Sequence, residues 1–259
     1  MNDLSAIIAI AGRDLTKLVR DRTRLLGSLI FPVIFIGVLG TSLQQNIGQN
    51  LGYNFLTFIF IGVLAQTLFQ STASGIISLV EDRQTDFAQE MFIAPISRYA
   101  ILLGKIVGET LVSLVQIIGV FAFAFLIGIP LDVSGVIRLL PFLFLISLFG
   151  GAFGVAIMAN LHDQRTADQI FPFVLFPQFF LAGVFNPIHN LPLPILIASR
   201  IAPMTYAVDL LRSVYYLGKP EYAKVVVFNP AINIGVTCVF GTLFLLIGTV
   251  LFVRNERNK

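Results

Sequence analysis

Glu81-Asp82-Arg83-Gln84-Thr85-Asp86-Phe87-Ala88-Gln89-Glu90-Met91-Phe92-Ile93-Ala94-Pro95-Ile96-Ser97-Arg98 is a charged, helix-like stretch lodged between two long apolar runs. Its acidic start suits a helix N-terminus, and Pro95 stops the helix. Phe87, Met91 and Ala94 fall on one face; Asp82, Asp86 and Gln89 do not. A solvated loop has no need of Phe87, Met91, Phe92 and Ile93 in water. The pattern therefore predicts a surface helix whose apolar side is covered by something outside the bilayer.

The runs on either side, residues 55–80 and 106–129, each exceed the about 20 apolar residues that cross ~30 Å of hydrocarbon. Further runs lie at 25–43, 139–161, 170–185 and 232–253. None alternates polar with apolar residues, which excludes a transmembrane barrel. Helices satisfy their own backbone groups in lipid, so the spans are read as helices. Composition agrees: of 259 residues 56% are hydrophobic and only 12% charged, against about 25% charged in soluble domains. With 25 Phe, 6 Tyr and no Trp, an interfacial aromatic belt has to use Phe and Tyr. The net charge of +3 gives no reason to expect nucleic acid. The single cysteine, Cys238, excludes an intrachain disulfide. The first twenty residues, with Asp3, Arg13, Asp14, Lys17 and Arg20, lack the compact apolar core of a cleavable signal peptide.

The expected fold is an all-α integral membrane protein with six transmembrane helices. Residues 1–24 form an N-terminal amphipathic interfacial helix and residues 25–259 the six-span domain. That domain includes a cytoplasmic helix at about 81–97 and an external re-entrant region at about 186–214. The re-entrant reading comes from prolines 187, 192 and 194, which forbid a continuous helix. It also comes from the apolar piece 195–214, which Arg200, Pro203, Asp209 and Arg212 make too polar to cross. Arg13, Lys17, Arg20, Arg22, Arg24, Arg83, Arg98, Lys105, Arg165, Arg254, Arg257 and Lys259 fall on one face. Arg138, Arg200, Arg212, Lys219 and Lys224 fall on the other. The richer face is assigned to the cytoplasm, with both termini there.

In the N-terminal helix, Leu4, Ile7, Ile8, Ala11, Leu15 and Leu18 recur at helical spacing. Arg13, Asp14, Lys17, Arg20 and Asp21 lie mostly opposite. Such a helix can be an interfacial anchor, or can also touch a soluble partner with its polar face.

Glu81-Asp82-Arg83, then Glu90 through Arg98, then Leu103-Gly104-Lys105 resemble the intracellular coupling helix of type-2 ATP-binding cassette (ABC) exporter permeases, in particular the daunorubicin-resistance-like drug exporter branch. A longer match runs through Phe176-Pro177-Gln178-Phe179-Phe180-Leu181-Ala182-Gly183-Val184-Phe185-Asn186-Pro187, Asn190-Leu191-Pro192, and Ala202-Pro203-Met204-Thr205-Tyr206-Ala207-Val208-Asp209-Leu210-Leu211-Arg212. It is similar to the family's fifth span, external re-entrant helices and Pro-Leu-Thr-Tyr…Asp…Leu-Arg signature, here Pro203, Thr205, Tyr206, Asp209 and Arg212. One departure is Asp86, where the family usually has Gly.

The resemblance implies a permease homodimer, or a heterodimer with a related permease, bearing two copies of a cytoplasmic ABC ATPase. Glu81, Arg83, Phe87, Glu90, Met91, Phe92 and Pro95 would form the ATPase contact. ATP and Mg would sit on the partner, with no cofactor in this chain. It further implies export, from the cell (inner or plasma) membrane, of a lipophilic or amphipathic cargo such as a drug-like molecule or lipid. The residues agree on one point. No Gly-x-x-x-x-Gly-Lys-Ser/Thr phosphate loop occurs; Gly218-Lys219 is followed by Pro220.

Other chemistry is sparse. His162 and His189 fall on opposite faces and cannot share a metal. Asp163, Arg165 and Asp168 read as a solvated charge cluster. Lys105 and Glu109, one turn apart, read as a pair that snorkels. Gly104-x-x-x-Gly108 and Gly150-Gly151-Ala152-Phe153-Gly154 permit close helix packing. Gln66, Gln70, Gln116 and Gln178 are amides inside spans. They are open to two readings, interhelical hydrogen bonding or a substrate path. The path candidates are Gln66, Phe69, Gln70, Phe176, Gln178, Phe179 and Phe180. An ATP-independent secondary transporter or a channel-like protein is the alternative. The first would need intramembrane carboxylates or an inverted repeat, and neither is visible.

Overall fold

The computed structural model describes residues 3–46, 48, 51–82, 96–159, 161 and 163–257. Every regular element among them is helical: α1 (Asp3–Arg20), α2 (Arg22–Val33), a π-helical segment (Ile34–Gly40), α3 (Thr41–Asn46), α4 (Phe55–Gly75), α5 (Ser78–Asp82), α6 (Arg98–Leu126), α7 (Val133–Met158), α8 (Gln164–Leu181), α9 (Leu193–Ile201), α10 (Pro203–Tyr215), α11 (Tyr222–Val225) and α12 (Pro230–Arg257). A short 3₁₀ turn, Ile188–Asn190, precedes α9. The expected cytoplasmic helix lies, from Arg83 to Pro95, outside the described residues.

Side-chain caps set where four of the helices begin. Thr57 N–H donates to Asn54 Oδ1 (2.9 Å), Ala100 N–H to Ser97 Oγ (3.1 Å), Gly135 N–H to Asp132 Oδ2 (3.0 Å), and Thr166 N–H to Asp163 Oδ1 (2.8 Å). Short polar residues satisfy orphan amides at such positions. The caps explain why α6, α7 and α8 start before the apolar runs at 106, 139 and 170. They also give Asp163 a role as the N-cap of α8, while it stays exposed with Arg165 and Asp168. Asp132 accepts a further hydrogen bond from Ser134 Oγ at 2.9 Å. That bond, with help from the Gly135 amide and Lys219, holds its carboxyl below the ordinary range.

Among the described residues, five helical stretches are long and apolar enough to cross a membrane: Leu25–Asn46, Phe55–Val80, Arg98–Leu126, Val133–Met158 and Tyr222–Arg254. The pair α9 and α10 meets the same criterion only jointly, and is bent by 86° at Ala202. The expected fifth span differs. α8 has 18 residues, with Arg165 and Asp168 near its start and Pro172 and Pro177 inside. At 1.5 Å per residue it is about 27 Å long.

α4 is the hub, enclosed by α6, α7 and α10. Glycines bring α7 against it. A Cβ on Gly150 would collide with the Phe69 carbonyl, and one on Gly154 would lie 2.5 Å from the Ala73 carbonyl. Phe69 is buried between Phe149 and Phe153, with ring centroids 5.3 and 5.2 Å away. By contrast, α2, the π-helical segment and α12 leave Leu26, Ile30, Val38, Val239, Leu246 and Val250 exposed. In water such apolar faces would be costly; in lipid they are the expected surface.

Candidate functional site

Three sets of polar residues are built into this apolar frame. The first joins α1 to α6. Gly104 and Gly108 face α1, where added Cβ atoms would lie 3.2 Å from Ile7 Cα and 3.1 Å from Ala11 Cα. The close approach lets Lys105 Nζ reach Asp14 Oδ2 at 2.7 Å and Glu109 Oε1 at 3.0 Å. Arg13 holds the other Asp14 oxygen at 3.1 Å. Asp14, Lys105 and Glu109 are almost wholly buried, at 3%, 2% and 0% exposure. The Lys105–Glu109 pairing was legible in sequence, but snorkelling was not the outcome: α1 lies over the pair. Asp14, expected on the polar side, is buried with Ala6, Ile10, Ala11 and Leu18. At the start of α1, Ser97 Oγ donates to Asp3 Oδ2 at 2.8 Å. Asp3 is thus level with Ser97 and Asp14 with Lys105. α1 therefore runs alongside the first turns of α6. α6, at about 43 Å, is longer than a ~30 Å hydrocarbon layer.

The second set is a cavity of about 470 Å³ between α2, α4 and α6. Gln66, Thr67, Gln70, Ser71, Ser74 and Gln116 supply its polar wall. Gln66 Nε2 donates to Gln70 Oε1, Ser74 Oγ to the Gln70 carbonyl, and Ser71 Oγ to Gln116 Oε1 at 2.6 Å. Gln66 Oε1 is buried and has no hydrogen-bond partner. Phe31 also lines the cavity. It belongs to an aromatic group with Phe35 (4.1 Å between centroids) and Phe179 (5.1 Å), which continues to Phe185 and Phe180.

Of the path candidates, Gln66 and Gln70 thus share one wall. Phe179 is buried beside it, and Phe176 and Phe180 project from α8 at 56% and 55% exposure. Phe69 points away, into α7. Gln178 is not in the cavity: its Oε1 accepts the Met204 amide at 3.3 Å, tying α8 to the start of α10.

The third set is the Pro203–Arg212 segment, and its residues bind within the chain. Pro203 opens α10. Thr205 Oγ1 donates to the Ser199 carbonyl (2.6 Å) and Tyr206 Oη to the Arg200 carbonyl (2.8 Å), fixing the bend. Asp209 accepts from the amides of Val227 (2.9 Å) and Phe228 (2.8 Å) and from Asn233 Nδ2 (2.8 Å). Arg212 donates to the carbonyls of Gly183 (2.7 Å) and Val184 (2.8 Å) beyond the end of α8, and stacks 3.5 Å over Phe58. Gly62 leaves room for it: a Cβ there would lie 2.7 Å from Arg212 Nη2. A buried guanidinium whose two terminal nitrogens are held by carbonyls is a joint, not a surface feature. Among the described residues no three His, Cys, Asp or Glu side chains cluster as a metal site. His162 lies outside the described residues.

Apolar helices of membrane length, with a polar-walled cleft between three of them, fit a multi-pass membrane protein. The chain belongs to the ABC-2 type transporter family, whose model matches residues 5–216. It is a membrane permease subunit of an ABC transporter, in a family whose ATPase activity resides on separate subunits. Over 97% of its length it is 24% identical to 89% of ycf38 of Cyanophora paradoxa, a transport permease by name. Over 89% of its length it is 23% identical to 86% of nodulation protein J of Rhizobium leguminosarum bv. viciae.

Proposed function

We propose that this chain is the exporting permease of an ABC pump in the daunorubicin-resistance-like branch. It acts as a homodimer, or with a related permease, on two copies of a cytoplasmic ATPase. It lies in the cell membrane with both termini cytoplasmic, and moves a lipophilic or amphipathic molecule outward from the cytoplasm or inner leaflet. The observation that carries the reading is the cavity among α2, α4 and α6, which joins a polar wall to an aromatic one within a family driven by separate ATPases. The 81–97 stretch is the coupling helix, with Glu81, Arg83, Phe87, Glu90, Met91, Phe92 and Pro95 at the ATPase. The bent α9–α10 pair is the external re-entrant element.

The test is uptake of a neutral lipophilic dye, Nile red, into inverted membrane vesicles containing the permease and its partner ATPase. Accumulation is expected with ATP and not with a non-hydrolysable analogue. It should also survive collapse of the ion gradients by an uncoupler. Uptake that follows the gradients and ignores ATP supports the secondary-transporter reading instead.

A further inference from the structure

The cavity of the candidate site carries information about its ligand, given the reading of the chain as an exporting permease. Its polar lining is made only of carboxamides and hydroxyls: Gln66, Thr67, Gln70, Gln116, Ser71 and Ser74, with Ser28 on α2. Among the described residues no lining side chain is ionisable. Glu109 stands behind Gly75, where a glycine Cβ would collide with its carboxylate. That carboxylate is already bridged to Lys105 at 3.0 Å. A phosphate or an ammonium group entering here would lose hydration and find no counter-charge. A hydroxyl or amide would find both donors and acceptors.

Gln66 is enclosed in the polar wall beside Gln70. It is 2% exposed, and its Oε1 is unpartnered while its Nε2 bonds Gln70. Turning both amides over leaves a donor spare instead of an acceptor, so a polar atom of Gln66 remains open either way. Buried amide atoms normally have partners. The apolar end is supplied by Phe31, which lines the cavity and starts the aromatic group running through Phe35 and Phe179.

We infer that this cavity receives the uncharged, hydroxyl- or amide-bearing headgroup of an amphiphile, whose apolar portion lies against Phe31, itself backed by Phe35 and Phe179. Gln66 and Gln70 are the specificity-determining residues. Anionic and cationic headgroups on the same chain are discriminated against.

The test is equilibrium binding to the full chain in lipid nanodiscs, with empty nanodiscs subtracted. Three radiolabelled probes share a dodecyl-length chain: N-dodecanoyl-N-methylglucamine, dodecyl phosphate and dodecyltrimethylammonium. The glucamide is expected to bind about tenfold or more tighter than either charged probe. Gln66→Met should weaken the glucamide about three- to tenfold and leave the charged probes unchanged. Gln70→Lys places a counter-charge in the lining and should shift preference toward dodecyl phosphate. If Gln66→Met does not accumulate, Gln116→Met and Ser74→Ala are read the same way. A charged probe that binds as tightly as the glucamide overturns the inference, as does a Gln66→Met protein with full glucamide affinity. Binding needs neither ATP nor the ATPase. Loss of ATP-driven uptake with this selectivity intact would therefore count against the exporter reading alone, and loss of selectivity with uptake intact against this inference alone.

Discussion

Replacing Lys105 by Met perturbs one atom on which two buried carboxylates depend. Lys105 Nζ sits 2.7 Å from Asp14 and 3.0 Å from Glu109, with all three side chains shielded from water. Met keeps the aliphatic stem and removes the cation that bridges the two carboxylates in the α1–α6 seam. Breaking a buried pair in this way costs about 3–5 kcal/mol, whereas replacing the whole group by neutral residues is often neutral or better. Lys105→Met alone should therefore lose about 3–5 kcal/mol. Lys105→Met with Asp14→Asn and Glu109→Gln should recover most of it, Arg13 turning to solvent from its partly exposed position. Because the chain has no Trp, pulse proteolysis across an SDS titration in mixed micelles suits the measurement. A single variant within about 1 kcal/mol of the parent would refute the clamp, since breaking a buried pair costs several times that. A triple variant as unstable as the single would show that volume, not charge, was lost.

Gly154→Val should destabilise by about 1–3 kcal/mol in the same assay, because its Cβ has only 2.5 Å to the Ala73 carbonyl; an unchanged midpoint would deny the close α4–α7 contact. Arg212→Leu leaves the Gly183 and Val184 carbonyls unpartnered and should cost about 2–4 kcal/mol. It should also raise protease cleavage between α8 and α11, and normal resistance would count against the joint. Single cysteines at Asn46 and at His189, in a Cys238→Ala background, should label from outside intact cells, and one at Gln84 only after permeabilisation. External labelling at Gln84 would reverse the orientation. Native mass spectrometry should find two permease copies per complex, and a strictly monomeric complex that still transports would refute the dimer.

The apolar runs made most membrane helices legible, because hydrophobic length is a local property. Helix starts were less so: Ser97, Asp132 and Asp163 are good capping residues, but they stand upstream of the apolar runs. Asp14 could have been found. It lies four residues from both Ile10 and Leu18, on the stripe that faces α6, yet a charge is read by default as solvated. Its partner Lys105 stands on another helix, and no local pattern reports that pairing. Phe69 was grouped with Gln66 and Gln70 by proximity in sequence, while its position on the helix turns it toward Phe149. The Pro203–Arg212 motif was legible as a motif. Its role was not, because Asp209 acts on amides at Val227 and Phe228, and Arg212 on carbonyls at Gly183 and Val184.

The central claim is that ATP hydrolysis on a partner reaches this cavity through the stretch between α5 and α6. Burying Met91 in an ATPase groove would contribute about 1.5–3 kcal/mol, and Met91→Asp reverses that preference without touching the cavity or the α1–α6 seam. In proteoliposomes holding permease and ATPase, the direct measurement is ATP-driven Nile red transport by the parent and by Met91→Asp at matched permease content. The account predicts that the variant reaches the membrane and binds the glucamide normally, yet loses ATPase retention or stimulation and transports nothing. Full ATP-driven transport by Met91→Asp would contradict it.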